Sequence, residues 1–202
     1  MAIEAPPTTR ARLLEAAMAL VRARGFAATS VDDLCRAAGV TKGAFFHHFV
    51  SKEALGVAAA KYWSEMTGAL FASAPYHDHA DPLDRVLAYV DFRAGLIEGD
   101  LAEFTCLVGT MVQETYNASD AIRAACEASI VGHAETLVVD IEAARRLYKI
   151  EGDWTAESLA LHTQAVLQGG FILAKAKGGP EAARDSVAHL KRYIQFLFSK
   201  GG

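Results

Sequence analysis

The chain has 202 residues, of which 52% are hydrophobic and 22% are charged, and its formal net charge is −4. This composition excludes a disordered chain, and the length fits one large domain or two small ones. Residues 1–10 lack the apolar run of a signal peptide, and the longest uncharged window, residues 158–174, still contains Ser, His, Thr and Gln, so we predict no membrane span.

Three cysteines, Cys35, Cys106 and Cys126, are odd in number and irregularly spaced. This pattern fits reduced thiols, and neither a disulfide framework nor a zinc site. We therefore predict a cytoplasmic protein without a metal centre.

The charge is distributed unevenly along the chain. Residues 1–63 carry eight Lys or Arg against five Asp or Glu, a net charge of +3, and residues 64–202 carry twelve against nineteen, a net charge of −7. A positive segment on an acidic body orients an encounter with a polyanion. A charge of +3 is only mildly basic, so charge alone does not decide the partner.

The first predicted helix contains apolar residues at helical spacing and ends at Arg24, where a basic last turn precedes Gly25. The second begins at Ser30, whose hydroxyl is placed to accept a hydrogen bond from the amide of Asp33, and runs to Ala38. The apolar residues of the first helix are Leu13, Leu14, Ala17, Leu20 and Val21.

Gly39 supplies a sharp turn before a third helix, which Thr41 caps. Ser51 caps a fourth helix that continues through Trp63 towards Phe71. The segment 75–82 is a predicted loop, because proline brackets its polar residues at both ends. The remaining predicted helices span residues 82–98, 102–116, 120–149, 156–177 and 180–198.

The fold class that follows is all-α, because no segment has the alternation of a strand. We predict an N-terminal three-helix head, residues 1–50, and a C-terminal helical body, residues 51–202, with the helix 51–73 connecting the two. The last two helices form an αα-hairpin, since Gly178 and Gly179 end one helix and Pro180 opens the next.

Helices two and three are separated by only four residues, 38–41, which is the spacing of a helix-turn-helix. From Lys42 to Phe49 the third helix is about 12 Å long, comparable with the width of the DNA major groove. Phe45 and Phe49 lie four residues apart and share the inward face, whereas Lys42, Phe46 and His47 fall towards the other side.

The segment TSVDDLCRAAGVTKGAFFHHFVSKEAL, residues 29–55, resembles the DNA-binding signature of the TetR family of transcriptional regulators. The resemblance is strong over residues 10–63, and the remainder agrees in its all-helical pattern, its size and its closing helix pair. It implies a homodimeric repressor that a small molecule releases from a near-palindromic DNA operator.

The resemblance also implies which residues contact DNA. Small and basic side chains at the start of the third helix suit base edges, and hydroxyls and cations suit phosphates. The implied base-edge residues are Lys42, Gly43, Ala44 and His47. The implied phosphate residues are Thr29, Ser30, Thr41, His48 and Lys52.

Three of these positions carry open alternatives. His48 is either a phosphate contact or an imidazole at the edge of the core. His47 and His48 are unsuited to one metal ion, because adjacent helical residues diverge by about 100°. Phe46 departs from the family pattern, which very often has Tyr there. Either another donor replaces the missing hydroxyl or the intrinsic DNA affinity is modest, and a further alternative is that the groove-facing ring lies against a sugar or a thymine methyl.

An effector site is expected in the acidic body, where aromatic, methionine and polar residues can line an apolar pocket. Each of these residues can equally be core packing, because periodicity does not separate lining from filling. The candidates are Trp63, Met66, Tyr89, Phe92, Arg93, Phe104, Met111, Gln113, Tyr116, His133, His162 and Phe171.

No set of residues predicts catalysis, a cofactor or a metal. The chain has no nucleophile elbow and no phosphate-binding glycine loop, and His77 and His79 have no further spaced ligand nearby. An enzyme is not predicted. The alternative to a repressor is a helical protein that binds or sequesters a small molecule and whose DNA-binding head is weakened, which Phe46 and the modest positive charge favour.

The last two helices carry apolar stripes at intervals of three and four residues. One hairpin cannot cover both sides of such helices, so we predict an intermolecular four-helix bundle with two-fold symmetry. The alternative is that the stripes face the chain's own middle helices. The predicted interface residues are Leu159, Val166, Gly170, Leu173, Val187, Leu190, Ile194 and Leu197.

Cys106 is a candidate chemical sensor. The family resemblance places it where the central helix borders the ligand cavity and the penultimate helix, which carries Lys175. An ammonium beside a thiol near a helix N-terminus favours the reactive thiolate. The alternative is that Cys106 is a small hydrophobic packing residue.

Overall fold

The computed structural model describes residues 7–199 of the chain. Within that range the structure is helical, without a strand, and a short 3-10 turn lies at Pro75–Asp78. The helices are α1 (Thr9–Arg24), α2 (Val31–Ala38), α3 (Lys42–His48), α4 (Lys52–Ala72), α5 (Pro82–Gly95), α6 (Leu101–Phe104), α7 (Leu107–Thr115), α8 (Asp120–Leu147), α9 (Ala156–Lys177) and α10 (Glu181–Ser199). The all-α fold class is confirmed.

Two compact units divide the chain. The first contains the residues up to Met66 together with Leu107–Ser129, and the second contains Thr67–Cys106 together with the residues from Ile130 onward. These units differ in extent from the predicted division after residue 50, because α4 begins within the first unit and α7 packs against α1.

In the first unit, α1 packs against α2, α3 and α7. Its core includes Leu13, Leu14 and Phe45, which are almost completely buried. Burial of such side chains stabilises a fold by about 1.5–3 kcal/mol each, so these contacts fix the position of the short helix α3.

In the second unit, α9 and α10 form the predicted hairpin, and α10 also packs against α5. Gly170 allows the close approach of the two hairpin helices, because a Cβ atom at this position would lie 3.3 Å from the Ala183 Cα. None of the described helices is long and apolar enough to cross a membrane.

One predicted helix is wrong. The segment 102–116 is not continuous, since α6 ends at Phe104 and α7 begins at Leu107. Thr105 adopts an extended conformation, with ψ at 155°, and its hydroxyl donates to the Leu101 carbonyl. Apolar periodicity runs through this break, which is why the sequence pattern did not reveal it.

Candidate functional site

The helix α3 is positioned by caps on both sides of a tight turn. The Ser30 hydroxyl accepts from the Asp33 amide at the start of α2, and the Thr41 hydroxyl accepts from the Ala44 amide at the start of α3. Gly39 lies between them with φ at 62°, a left-handed conformation that favours glycine. The sequence therefore specifies the angle between α2 and α3 locally.

The two faces of α3 differ sharply. Phe45 is fully buried, and the ring centre of Phe49, which caps the helix, lies 5.9 Å from that of Phe45. Lys42, Gly43 and His47 are exposed, and Phe46 is 54% exposed. The partly buried Ala44 completes the outward-facing group. The predicted division of α3 into an inward and an outward face is confirmed.

Lys42 is held by an ion pair. Its Nζ lies 2.7 Å from a carboxylate oxygen of Asp32 on α2, and both side chains are more than half exposed. The hydrogen bond that Lys42 donates to Asp32 raises the pKa of the lysine, so the ammonium is fully protonated. An accessible carboxylate therefore lies beside a cation that was predicted to meet DNA.

Two of the implied phosphate contacts keep polar groups at the surface. Thr41 uses its oxygen as an acceptor in the cap of α3, which leaves the hydroxyl proton available for donation. His48 is exposed, and this position contradicts the alternative of an imidazole at the edge of the core. The His47 and His48 rings lie 5.0 Å apart. Among residues 7–199 no group of three or more His, Cys, Asp or Glu residues is arranged to hold a metal ion.

Three implied phosphate contacts have other roles in the structure. Thr29 is buried and donates its hydroxyl to the Gly25 carbonyl, so its prediction as a surface contact is wrong. Ser30 donates its hydroxyl to Asp33, which leaves the serine no hydroxyl proton for a phosphate. These hydrogen bonds from Ser30 lower the pKa of Asp33 to about 2.

Lys52 folds back onto the loop that precedes α2. Its ammonium donates to the Ala27 carbonyl and lies 4.5 Å from the ring centre of Phe26. Partial burial lowers the pKa of this lysine. The implied contact between Lys52 and a phosphate is therefore not preformed, because the apolar stem and the aromatic ring keep the head group against the protein.

Two further residues beside α3 were missed by the sequence analysis. Arg10 on α1 places its guanidinium 5.5 Å from the ring centre of Phe49, and with His48 it lines a surface groove of about 390 Å³. Val50, in the turn after α3, is 86% exposed. The positive charge of Arg10 near the start of α1 was a signal that the sequence offered. No periodicity predicts that an apolar turn residue such as Val50 is exposed to solvent.

Four of the effector candidates come together in the second unit. Tyr89, Phe92, Arg93 and His133 all lie around the ring of Phe71. Gln164 joins them through a hydrogen bond to Tyr89 and was missed, because a single glutamine in an apolar helix carries no pattern.

The other effector candidates have different contacts. Phe104 and Phe171 form a separate ring pair with centres 6.2 Å apart, and His162 is exposed on α9 beside Tyr193. Five candidates belong to the first unit, namely Trp63, Met66, Met111, Gln113 and Tyr116. Of these, Met111 is fully buried in the core, and Gln113 donates to the Gly109 carbonyl of its own helix. Met111 is thus packing, as the alternative for each candidate stated.

The predicted dimer stripe requires correction. Five of its eight residues are buried in the core of the chain itself, so they present no surface to a partner. Only Leu173 is exposed, and Val166 and Leu197 are partly buried. The buried five are Leu159, Gly170, Val187, Leu190 and Ile194. Apolar residues lie on both the inward and the outward face of α9. The prediction from helical spacing selected residues of the inward face, because spacing does not show which face meets a partner.

Cys106 lies between α6 and α7, directly before the first residue of α7, and is partly buried against the core of the second unit. Lys175 is exposed near the end of α9. The role of Cys106 as a chemical sensor stays a prediction.

Comparisons with known proteins agree with this architecture. The description "Bacterial regulatory proteins, tetR family" matches residues 13–59, and "Tetracyclin repressor-like, C-terminal domain" matches residues 82–190. The transcriptional repressor NemR of Escherichia coli (strain K12) is 28% identical over 199 residues, which cover 92% of this chain and 94% of NemR. The repressor DhaR of Mycobacterium sp. (strain GP1) is 32% identical over 115 residues, which cover 56% of each protein.

Solved structures share the fold over most of the chain. A TetR-family regulator from Agrobacterium tumefaciens superposes with a TM-score of 0.80 at 20% identity, covering 92% of this chain and 97% of that one. The reduced form of E. coli NemR superposes with a TM-score of 0.74 at 26% identity, covering 92% and 96%. The two family descriptions together span both the head and the body, and the chain therefore belongs to the TetR family of bacterial regulatory proteins.

Proposed function

We propose that the chain is a homodimeric, ligand-responsive repressor of transcription that acts in the cytoplasm on a near-palindromic DNA operator. The observation that carries this proposal is the exposed face of α3, which a capped turn and the buried Phe45 hold in position. The names of NemR and DhaR, both transcriptional repressors, support repression as the outcome of binding. In this proposal residues 1–50 bind DNA, and residues 51–202 bind the effector and form the dimer.

The proposed contacts with DNA follow the outward face of α3. Lysine donates to guanine O6 or N7, and a small residue lets the backbone come close to the bases. Thr41 and His48 are proposed to contact phosphates. The proposed base-edge contacts are Lys42, Gly43, Ala44 and His47.

Phe46 on α3 and Val50 in the turn that follows it add exposed apolar surface to the head. Apolar side chains contact thymine methyl groups in the major groove. We propose that these two residues lie against sugars or thymine methyls, so the phenylalanine is a DNA contact and not a sign of a weakened head. The alternative of a sequestering protein therefore loses one of the two features that favoured it, and the modest positive charge of the head is the other.

We place the dimer interface on the exposed side of the α9–α10 hairpin. Leu161, Ile172 and Leu173 on α9 are each nearly half exposed, and Tyr193 and Phe196 on α10 are similarly exposed. Apolar surface of this extent marks an interaction site. Two-fold pairing of such hairpins gives a four-helix bundle and presents two α3 helices to successive major grooves about 34 Å apart.

Fluorescence anisotropy tests the proposal with a labelled duplex from the region upstream of the chain's own gene. We expect the wild type to bind this duplex better than a scrambled duplex, and Lys42→Ala to weaken binding by about 5- to 100-fold and to reduce the discrimination. The matched control is Arg146→Ala, which removes an exposed cation from α8 in the second unit. Equal binding of both duplexes by the wild type contradicts the proposal.

A further inference from the structure

An aromatic group in the second unit is centred on the ring of Phe71, which lies near the end of α4. The His133 ring centre is 4.3 Å from that of Phe71, and the Phe92 and Tyr89 ring centres are 5.6 and 5.9 Å away. Tyr76, in the 3-10 turn, closes the group with its ring centre 5.9 Å from that of Phe92. Aromatic side chains thus surround one position in the unit.

A chain of hydrogen bonds runs along one side of this aromatic group. The Gln164 Nε2 donates to the Tyr89 hydroxyl at 3.2 Å, and the Tyr89 oxygen is 3.0 Å from the His133 Nε2. Burial, followed by the charge of Arg93, lowers the pKa of His133 to about 4. The imidazole is therefore neutral at neutral pH, and its Nε2 shares one hydrogen bond with the Tyr89 hydroxyl.

Gln164 contributes an acceptor without a partner. The side chain is only 5% exposed, and its Nε2 donates to Tyr89 and to Thr163. Within residues 7–199 its Oε1 has no hydrogen-bond donor. An amide oxygen with no donor of its own is suited to accept a hydrogen bond from a bound molecule.

Arg93 contributes a cation without a counterion. Its guanidinium carbon lies 5.1 Å from the ring centre of Phe71, and the residue is partly buried. Across the described part of the chain, no carboxylate or carbonyl forms an ion pair or hydrogen bond with this guanidinium. Partly buried arginines usually pair with a carboxylate, because the planar fork of donors matches its two oxygens.

From these groups we infer that the cluster around Phe71 is a ligand site and takes a planar aromatic molecule with one carboxylate, which pairs with Arg93 while its ring packs among Phe71 and Phe92. A hydroxyl or amino group on the ligand donates to the Gln164 Oε1. One carboxylate is specified because, in the described part of the chain, one cation, Arg93, lies against the Phe71 ring. The role of such a ligand as the effector rests on the proposed function.

Isothermal titration calorimetry without DNA tests the site. The probes are benzoate, 4-hydroxybenzoate and cinnamate, and benzamide serves as the neutral match for benzoate. We expect the wild type to bind at least one carboxylate about 10- to 100-fold more tightly than Arg93→Gln does, because a charge-assisted pair is lost. We expect Arg146→Gln, which removes an exposed arginine from the same unit, to bind like the wild type.

Three results overturn the inference: no carboxylate binds the wild type, Arg93→Gln binds as tightly, or benzamide binds as tightly as benzoate. The comparison of benzoate with benzamide uses the wild type alone, so it decides even if Arg93→Gln does not fold. Release of the labelled operator is measured separately. A carboxylate that binds through Arg93 without releasing DNA upholds the site and contradicts the proposed function.

Discussion

At the scale of single residues, the ion pair between Asp32 and Lys42 leads to a prediction about DNA affinity. Asp32 pairs with the Lys42 ammonium, which is proposed to contact DNA, and its own carboxylate would repel phosphates. Asp32→Asn is therefore expected to tighten operator binding by about 3- to 10-fold at low salt, with a smaller gain as salt is raised. Anisotropy titrations across salt measure the change. Asp185→Asn, which removes an exposed carboxylate from α10, is the control, and weaker binding by Asp32→Asn would contradict the role assigned to this pair.

Phe46 gives a second residue-scale prediction. Its ring is 54% exposed on the outward side of α3, so a hydroxyl added to it can reach solvent or a phosphate. Phe46→Tyr is expected to tighten operator binding by about 0.5–1.5 kcal/mol, the usual net contribution of one hydrogen bond. Affinity that stays unchanged on the operator would mean that the ring edge points at sugars or bases and not at a phosphate.

His133 predicts a pH dependence of stability. Its pKa is lowered from 6.5 to about 4 in the folded chain, so the unfolded chain binds a proton more readily between these values. The contribution of neutral His133 to the free energy of unfolding is therefore fully present above pH 6.5 and is lost as the pH falls towards 4. Urea unfolding should show a loss on the order of 2 kcal/mol between about pH 7.5 and pH 5 from this group.

The control for this prediction is a matched pair of variants. His133→Gln should reduce the loss of unfolding free energy over that pH window, whereas His47→Gln, at an exposed position on α3, should leave it as in the wild type. The assignment to His133 is wrong if the two variants have the same pH profile.

At the scale of helices, substitutions at two positions of α10 in the α9–α10 hairpin should distinguish an effect on folding from an effect on dimer assembly. Leu190 is 2% exposed and packs in the chain's own core, so Leu190→Glu should unfold the chain and would not report on the dimer. Phe196 is 56% exposed, so Phe196→Glu should give folded monomers that lose operator affinity. Sedimentation velocity and thermal unfolding measure the two effects.

The control for the hairpin is Val139→Glu, which places the same charge on an exposed apolar position of α8. This variant should sediment as the wild type does. If Phe196→Glu also sediments as a dimer, the exposed side of the hairpin is not the interface.

The same helices show what the sequence could predict. The hairpin and the helix-turn-helix followed from local signals, namely glycine turns, capping hydroxyls and apolar spacing. The inward side of Leu190 did not follow, because α10 has apolar residues on opposite faces and spacing does not name the partner. Thr29 was likewise misplaced, since a resemblance transfers a position without showing that its hydroxyl is used by Gly25.

The cluster around Phe71 marks the same limit. Tyr89, Arg93 and His133 were candidates on residue type alone, but they are 4 to 44 positions apart in sequence, and only the packing of α5 against the other helices brings them together. Gln164 was missed for the same reason, because nothing near it in the sequence indicates a buried amide.

At the scale of the whole molecule, charge separation supports the proposed encounter with DNA. Residues 1–63 carry a net charge of +3 and residues 64–202 carry −7, so a polyanion is attracted to the head and repelled by the remainder. In the proposed function, specific affinity comes from the outward face of α3, and the electrostatic part of the affinity arises from counterions that the contacted phosphates release.

The salt dependence of operator binding tests the central claim most directly. A dimer that neutralises about 6 to 10 phosphates should give a plot of log K against log salt concentration with a slope of about −5 to −9. Binding to the upstream duplex should remain tighter than binding to a scrambled duplex throughout. A slope near zero, or equal affinity for the two duplexes at every salt concentration, would contradict a sequence-specific DNA-binding repressor.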